Sequence, residues 1–148
     1  MKSLCSFRKS IWSFFLISLT CSTYAYSQTI VGKWKAYENG RLSSLIEIYA
    51  GQDGRYYGKM IEIYDADLAK KICEKCPGDR KNKGMKNLVI LRDLKISADK
   101  KSADGGLILA PDTGKEYNCK IWLEDNNTLK MRAYVGFLYG TRTWEKAQ

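Results

Sequence analysis

The chain has 148 residues, with 25 Lys or Arg against 16 Asp or Glu, so its formal net charge is +9. It contains no histidine, which removes the commonest general base, the commonest zinc ligand and every Ser–His or Cys–His catalytic couple. Its length fits one domain with a hydrophobic core of its own. Composition therefore excludes much familiar hydrolase and metalloenzyme chemistry.

The first 27 residues have the three parts of a secretory signal peptide. Basic residues precede an apolar run over residues 11–19, and small residues follow it, ending in Ala25-Tyr26-Ser27. The run is about half the roughly 20 apolar residues that a spanning helix needs, which disfavours a membrane anchor. We therefore expect cleavage of residues 1–27 and a protein exported to the periplasm or outside the cell.

Cys21 offers a second outcome of export, a lipid-tethered protein. Acylation signals usually place a large aliphatic residue three positions before the cysteine and Gly, Ala or Ser directly before it. Here those positions hold Ser18 and Thr20, so cleavage after Ser27 is favoured. The product is a single domain of residues 28–148.

Charge remains basic after this cleavage, because residues 1–27 carry three basic residues and no acids. The remaining 22 basic and 16 acidic residues give a net charge of +6. Lysines mostly alternate with acids, as in Glu74-Lys75, a pattern typical of a solvated surface. This pattern and the exported address argue against nucleic acid, so we expect no nucleic-acid partner.

From Thr29 onward the chain alternates between apolar and polar residues at the period of β-strands. Turn sequences such as Asn39-Gly40 and Asp53-Gly54 separate the alternating segments. Alternation over β-branched and aromatic residues indicates half-buried antiparallel strands. The pattern predicts eight strands, over residues 32–37, 43–50, 55–65, 87–97, 106–109, 115–124, 128–136 and 139–146.

One Lys-rich segment, residues 66–87, interrupts this pattern and is long for a connection inside a compact domain. We expect a loop there, and a polar turn over residues 98–106. Eight short strands without crossover helices fit an all-β fold, either a sandwich or an eight-stranded antiparallel up-and-down barrel with one long loop after the third strand. The barrel is favoured because closure removes unpaired edges. Strand faces that mix Tyr, Met and charge predict a partly wet cavity inside it.

Cys73-Glu74-Lys75-Cys76 is the sharpest short motif. A redox pair would sit at a helix N-terminus, and no βαβ pattern surrounds this one. A metal knuckle would need further ligands, and only Cys119 remains outside residues 1–27, so we expect no metal. In an exported protein a disulfide is favoured, either between Cys73 and Cys76 or from one of them to Cys119, which would close a larger loop.

Gly32, Trp34 and Arg142 form a second constellation, near the two ends of the domain. The first and last strands of a closed barrel are neighbours, so the Arg142 guanidinium is expected to stack on the Trp34 indole and close the barrel floor. The alternative is an ordinary core tryptophan, and both roles are structural.

Tyrosines in the second and third predicted strands are the best candidates for a ligand pocket. Tyrosine combines apolar area with a polar tip, which suits an amphipathic ligand and also suits sheet packing. Acid pairs such as Glu47 with Glu62 are usually solvated on strands, so we expect no catalytic residue. The candidate ligand-binding residues are Tyr49, Tyr57, Tyr64, Arg132 and Tyr134.

Nine short motifs follow one another along the domain: Val31-Gly32-Lys33-Trp34, Ile46-Glu47-Ile48-Tyr49, Tyr56-Tyr57-Gly58-Lys59, Cys73-Glu74-Lys75-Cys76-Pro77-Gly78, Leu88-Val89-Ile90-Leu91, Gly106-Leu107-Ile108-Leu109, Gly114-Lys115-Glu116-Tyr117, Leu129-Lys130-Met131-Arg132 and Tyr134-Val135-Gly136. Together they resemble a bacterial exported family, domain of unknown function number 2147. Two places depart from the family pattern: Ala110-Pro111-Asp112, where the family tends to have Asp-Pro, and Ala133, where it tends to have Gly. The Gly-x-Trp opening with a late Arg is also similar to lipocalin-like (calycin) barrels. The resemblance implies a barrel and no particular activity.

We therefore expect a non-enzymatic barrel, without cofactor or transmembrane span, that binds a small, partly apolar ligand such as a lipid or fatty acid. Two alternatives stay open. One is an envelope thiol protein that uses Cys73 and Cys76. The other is an interaction module in which residues 66–87 hold a partner or an anionic polymer. The sequence does not specify the oligomeric state.

Overall fold

A computed structural model describes residues 28–148 of the chain. The predicted signal peptide and Cys21 lie outside the described residues. Besides the strands, the structure contains a short helix α1 (Ala66–Lys70) and a 3-10 turn (Gly78–Arg80). The strands are β1 (Gly32–Glu38), β2 (Arg41–Ala50), β3 (Tyr56–Ile63), β4 (Val89–Ile96), β5 (Ser102–Ala110), β6 (Lys115–Leu123), β7 (Thr128–Val135) and β8 (Leu138–Lys146).

Each strand pairs antiparallel with the next, and β1 pairs with β8, which closes the barrel. The predicted eight-stranded up-and-down barrel is therefore confirmed. One predicted segment is wrong: β5 begins at Ser102, within the expected turn over residues 98–106. Gly105, at φ 67°, lies in a bulge between Ala103 and Gly106, so the strand continues through a glycine pair that resembles a turn signal.

Apolar side chains fill the barrel interior, so the expected partly wet cavity is wrong. The mixed faces have a local cause in the β2–β3 pairing, where a bulge between Leu45 and Ile46 leaves Met60 buried and Glu62 exposed. Elsewhere on these strands the tyrosines and charged side chains alternate with buried residues and lie mostly outside. Large buried side chains of the core include Trp34, Ile46, Ile48, Met60, Leu91, Leu94, Ile121, Leu129, Met131 and Trp144.

The two ends of the barrel differ. At the end we call the floor, the N-terminal segment crosses to the β4–β5 turn, where the Ile30 amide donates to the Lys100 carbonyl at 3.0 Å. Trp34, fully buried, donates its indole N–H to the Ile30 carbonyl at 2.8 Å. At the opposite end, which we call the loop end, lie the β1–β2, β3–β4, β5–β6 and β7–β8 connections, since hairpins of an up-and-down barrel alternate between ends.

The long β3–β4 connection folds against the β5–β6 hairpin. Cys73 and Cys76 are buried and joined as a disulfide, and the Cys73 sulfur lies 3.3 Å from the Pro111 carbonyl oxygen. Of the two pairings that the sequence left open, the structure has this one. Cys119 is a buried free thiol on β6, and burial raises its pKa to about 12. No helix among residues 28–148 is long and apolar enough to cross a membrane.

Stacking of Arg142 on Trp34, predicted from the sequence, is wrong. In the β1–β8 register Trp34 faces Lys146, and Arg142 is four residues away, about 13 Å along the strand. The Arg142 guanidinium instead lies 3.3 Å from the Glu38 carboxylate of β1. Arg142 thus still bridges the strands that close the barrel, while Gly32 begins β1 opposite Ile48.

Candidate ligand-binding site

A groove of about 740 Å³ lies on the outside of the barrel wall. The outer faces of β2, β3 and β4 form its base, and the 3-10 turn of the long connection overhangs one side. Its lining combines aromatic, aliphatic and charged side chains. The lining residues are Tyr49, Gly51, Gln52, Asp53, Tyr57, Pro77, Gly78, Asp79, Arg80, Val89, Arg92 and Glu116.

Two tyrosines form the aromatic wall of this groove. The rings of Tyr49 and Tyr57 stack with centroids 6.0 Å apart, and the Lys59 ammonium lies 4.9 Å from the Tyr49 ring centre. The Tyr57 hydroxyl donates to the Asp53 carboxylate at 2.6 Å. This hydrogen bond raises the pKa of Tyr57 to about 12 and lowers the pKa of Asp53. The hydroxyl therefore stays protonated and its ring is held in place.

Local geometry explains why the aromatic wall lies here. The β2–β3 turn closes with a hydrogen bond of 2.7 Å from the Gly51 amide to the Arg55 carbonyl. A Cβ at Gly51 would lie 2.5 Å from the Tyr57 ring, so a side chain there would displace the ring. Glycine at this position lets Tyr57 lie flat over the turn that carries its partner Asp53.

The opposite wall is an ion-pair cluster of two arginines and one glutamate. Arg92 donates through Nε and Nη2 to both Glu116 carboxylate oxygens, at 2.7 and 2.9 Å. Arg80 donates to Glu116 at 2.7 Å and so ties the long connection to β6. The hydrogen bond from Arg92, with that from Arg80, lowers the pKa of Glu116 to about 2. Arg92 also pairs with Asp93, and its own pKa is raised.

Two polar groups of the groove keep one protonation state around neutral pH. Tyr57 and Glu116 are both held in protonation states that stay fixed around neutral pH, which is unsuited to acid–base turnover. Among residues 28–148 no cluster of His, Cys, Asp or Glu could hold a metal ion. Aromatic rings beside fixed hydrogen-bonding groups are the usual lining of a small-molecule site.

Two of the predicted site residues, Tyr49 and Tyr57, line the groove, and the other three lie elsewhere. The Tyr64 hydroxyl donates to Glu62 at 2.8 Å on an exposed surface. The Arg132 guanidinium lies between the rings of Trp122 and Tyr139, 5.1 and 4.2 Å from their centres. Tyr134 packs beside this stack, 6.4 Å from the Tyr139 ring.

No pattern in the sequence singled out Arg80, Arg92 and Glu116 as site residues. Glu116 lies 24 residues from Arg92 and 36 from Arg80, so no local spacing connects them. The available signal was the basic composition of the long connection, which showed cations but not the carboxylate that they hold.

A closed eight-stranded antiparallel barrel with its first-strand tryptophan packed at the floor defines a lipocalin-like β-barrel protein. The chain belongs to the family described as "Uncharacterized protein conserved in bacteria (DUF2147)", which matches residues 32–146. It is similar to the solved structure of protein HP1028 from the human pathogen Helicobacter pylori, described as belonging to the lipocalin family. The two are 26% identical with a TM-score of 0.64, over 80% of this chain and 82% of that one. Comparison with curated proteins finds no significant match.

Proposed function

We propose that this protein is an exported, non-enzymatic binding protein that holds a small, partly apolar ligand in the outer groove. The observation that carries the proposal is the pairing of two opposed walls, the Tyr49–Tyr57 stack and the Arg80–Glu116–Arg92 cluster. The lipocalin-like barrel supports a binding role, and its packed interior favours the outer groove as the ligand site. Export is supported by the pattern of residues 1–27 and by the Cys73–Cys76 disulfide.

The lining sets the class of ligand. Tyr49, Tyr57 and Val89 offer apolar contact for a hydrocarbon segment. Asp53 and the arginines offer hydrogen bonds, but both arginines already share the charge of Glu116. A fatty acid or a lipid-like molecule with a small polar head fits this division, with the head held beside Arg92 and the chain along the tyrosines.

Native mass spectrometry of the protein purified from its exported fraction tests this function, because a bound amphiphile should appear as a discrete added mass. Displacement of a fluorescent fatty acid then locates the site. Tyr57→Ala should weaken binding about tenfold, since it removes a large apolar contact and a hydrogen-bonded tip. Tyr134→Ala is the matched control, because it removes a tyrosine outside the groove.

Equal affinity in both variants would contradict the outer-groove site. Loss of binding on enlarging an interior side chain, as in Ala103→Leu, with Tyr57→Ala unaffected, would instead place the ligand inside the barrel. The Ala103 side chain is buried within the core, so its enlargement acts there alone.

The intact mass of the exported protein tests the predicted cleavage of the signal peptide separately. The expected chain begins at Gln28, directly after Ser27. A chain that begins at a lipid-modified Cys21 would contradict the soluble form.

A further inference from the structure

Large apolar side chains that remain exposed are confined to one end of the barrel. All six that are recorded among residues 28–148 lie at the loop end, whereas the floor end covers its apolar residues with the N-terminal segment. A scattered set would need no explanation, but confinement to one end marks an interaction surface. The six are Tyr64, Ile72, Val135, Phe137, Leu138 and Tyr139.

The β7–β8 hairpin carries four of these residues at its tip. Gly136, at φ 62°, and Phe137 form the two-residue turn between Val135 and Leu138. The Phe137 side chain is 94% exposed and that of Leu138 61% exposed. This tip extends past the region where β1 covers β8, because β1 pairs with β8 only from Trp144 onward and the beginning of β8 pairs with β7 alone.

The long connection gives the same end an excess of positive charge. The long connection, residues 64–88, holds seven basic and four acidic residues, and most of its lysines are exposed. Nearer the tip, Arg132 is stacked on the Tyr139 ring at 4.2 Å. An apolar projection flanked by aromatic rings and cations is the composition that lies at a membrane–water interface, where rings reach the acyl boundary and cations meet phosphate.

We propose that the loop end docks on the surface of an anionic lipid bilayer, with Phe137 and Leu138 inserted at the headgroup boundary. This goes beyond the binding of a ligand in the groove. A protein partner would need a pocket shaped for the exposed Phe137, whereas a fluid bilayer admits an exposed apolar tip without one. The long connection offers several separate exposed lysines, which suits a surface of many equivalent phosphates.

Co-sedimentation of the purified protein with vesicles tests the proposal. Vesicles of phosphatidylglycerol and phosphatidylcholine should bind the protein, vesicles of phosphatidylcholine alone should bind it more weakly, and added salt should reduce the difference. Phe137→Ser should weaken binding about tenfold or more, because it removes one large buried side chain from the interface. Phe137→Trp should retain binding, and its fluorescence should gain a component quenched by brominated lipid.

Circular dichroism and thermal unfolding check that both variants are folded before their binding is compared. No binding of the unaltered protein to anionic vesicles overturns the proposal, as does equal binding of Phe137→Ser. Self-association that Phe137→Ser abolishes, without any lipid binding, would make the hairpin a protein interface and also overturn it. Fatty-acid displacement in the groove should be unchanged by Phe137→Ser, which separates this failure from failure of the proposed ligand site.

Discussion

Arg92 of β4 and Glu116 of β6 are joined by two hydrogen bonds that span the intervening strand β5. Arg80 adds a third bond to the same carboxylate, at 2.7 Å, from the long connection. One side chain on β6 thus ties β4 and the overhanging segment to β6 on the outside of the barrel. The carboxylate is mostly shielded, with 16% of the Glu116 side chain exposed, so the cluster contributes more than a fully solvated ion pair would.

Glu116→Gln should lower stability at neutral pH and flatten its dependence on acid. The folded pKa of Glu116, about 2, lies below its ordinary value of 4.5. Its contribution, on the order of 2–3 kcal/mol, is therefore present above the ordinary value and is lost as the pH falls toward 2. Urea unfolding of the unaltered protein and of Glu116→Gln, at about pH 7 and about pH 3, measures this contribution. A stability difference between the two proteins that is the same at both pH values would contradict the assignment.

Much of this fold follows from local pattern, because period-2 alternation and turn dipeptides are both short-range signals. They located seven strands, part of β5 and the long connection. Bulges were the exception: one extra residue on β3, opposite Leu45 and Ile46, leaves Met60 buried and Glu62 exposed, and nothing in the alternation marks it. Tyr49 and Tyr57 pair away from this bulge and alternate with the buried Ile48 and Gly58, so plain alternation places them outside.

Trp34→Phe should destabilise the barrel by about 2 kcal/mol, since it leaves the Ile30 carbonyl without its donor and opens space at the floor. The indole is fully buried and donates at 2.8 Å. Chemical unfolding followed by circular dichroism gives the loss. The matched control is Trp122→Phe, a half-buried tryptophan on the outer face, which should change stability by less than about 1 kcal/mol.

Gly106→Ala should destabilise by about 2 kcal/mol through overpacking. A Cβ there would lie 2.5 Å from the Arg92 carbonyl oxygen and 2.7 Å from the Leu94 side chain. Gly140→Ala provides the control, because its added Cβ would meet nothing within 4 Å. Comparable losses in the two variants would show that β5 and β4 do not approach as closely as the structure has them.

Thiol counting should separate the structural disulfide from a redox pair. Folded protein should show no reactive thiol, because Cys119 is buried and its pKa is about 12. Denaturation without reductant should expose one thiol in residues 28–148, and reduction should raise the count to three. Rapid reduction of Cys73–Cys76 in folded protein would favour the envelope thiol function instead.

Only one of the two walls of the groove, the aromatic one, could be predicted from the sequence. Tyr49 and Tyr57 could be singled out because they recur at strand spacing on adjacent strands. The charged wall joins residues from β4, β6 and the long connection, and only barrel closure brings these together. Long-range pairing of this kind leaves no periodic signal in one sequence. The Trp34–Arg142 expectation failed similarly, because register between the chain ends is set by the whole circumference.

The barrel is closed by a short pairing of β1 with β8. Those strands meet through three residue pairs, as β3 and β4 do, whereas β7 and β8 meet through eight; β1 and β8 are the one neighbouring pair of the barrel that no connection joins. The barrel wall is therefore a curved sheet that closes through one short strand pairing, close to both ends of the described chain. A force or fluctuation that separates Trp34, Lys35 and Ala36 from their partners on β8 would open the barrel while every hairpin stays paired. Any widening of the packed interior should begin along that line.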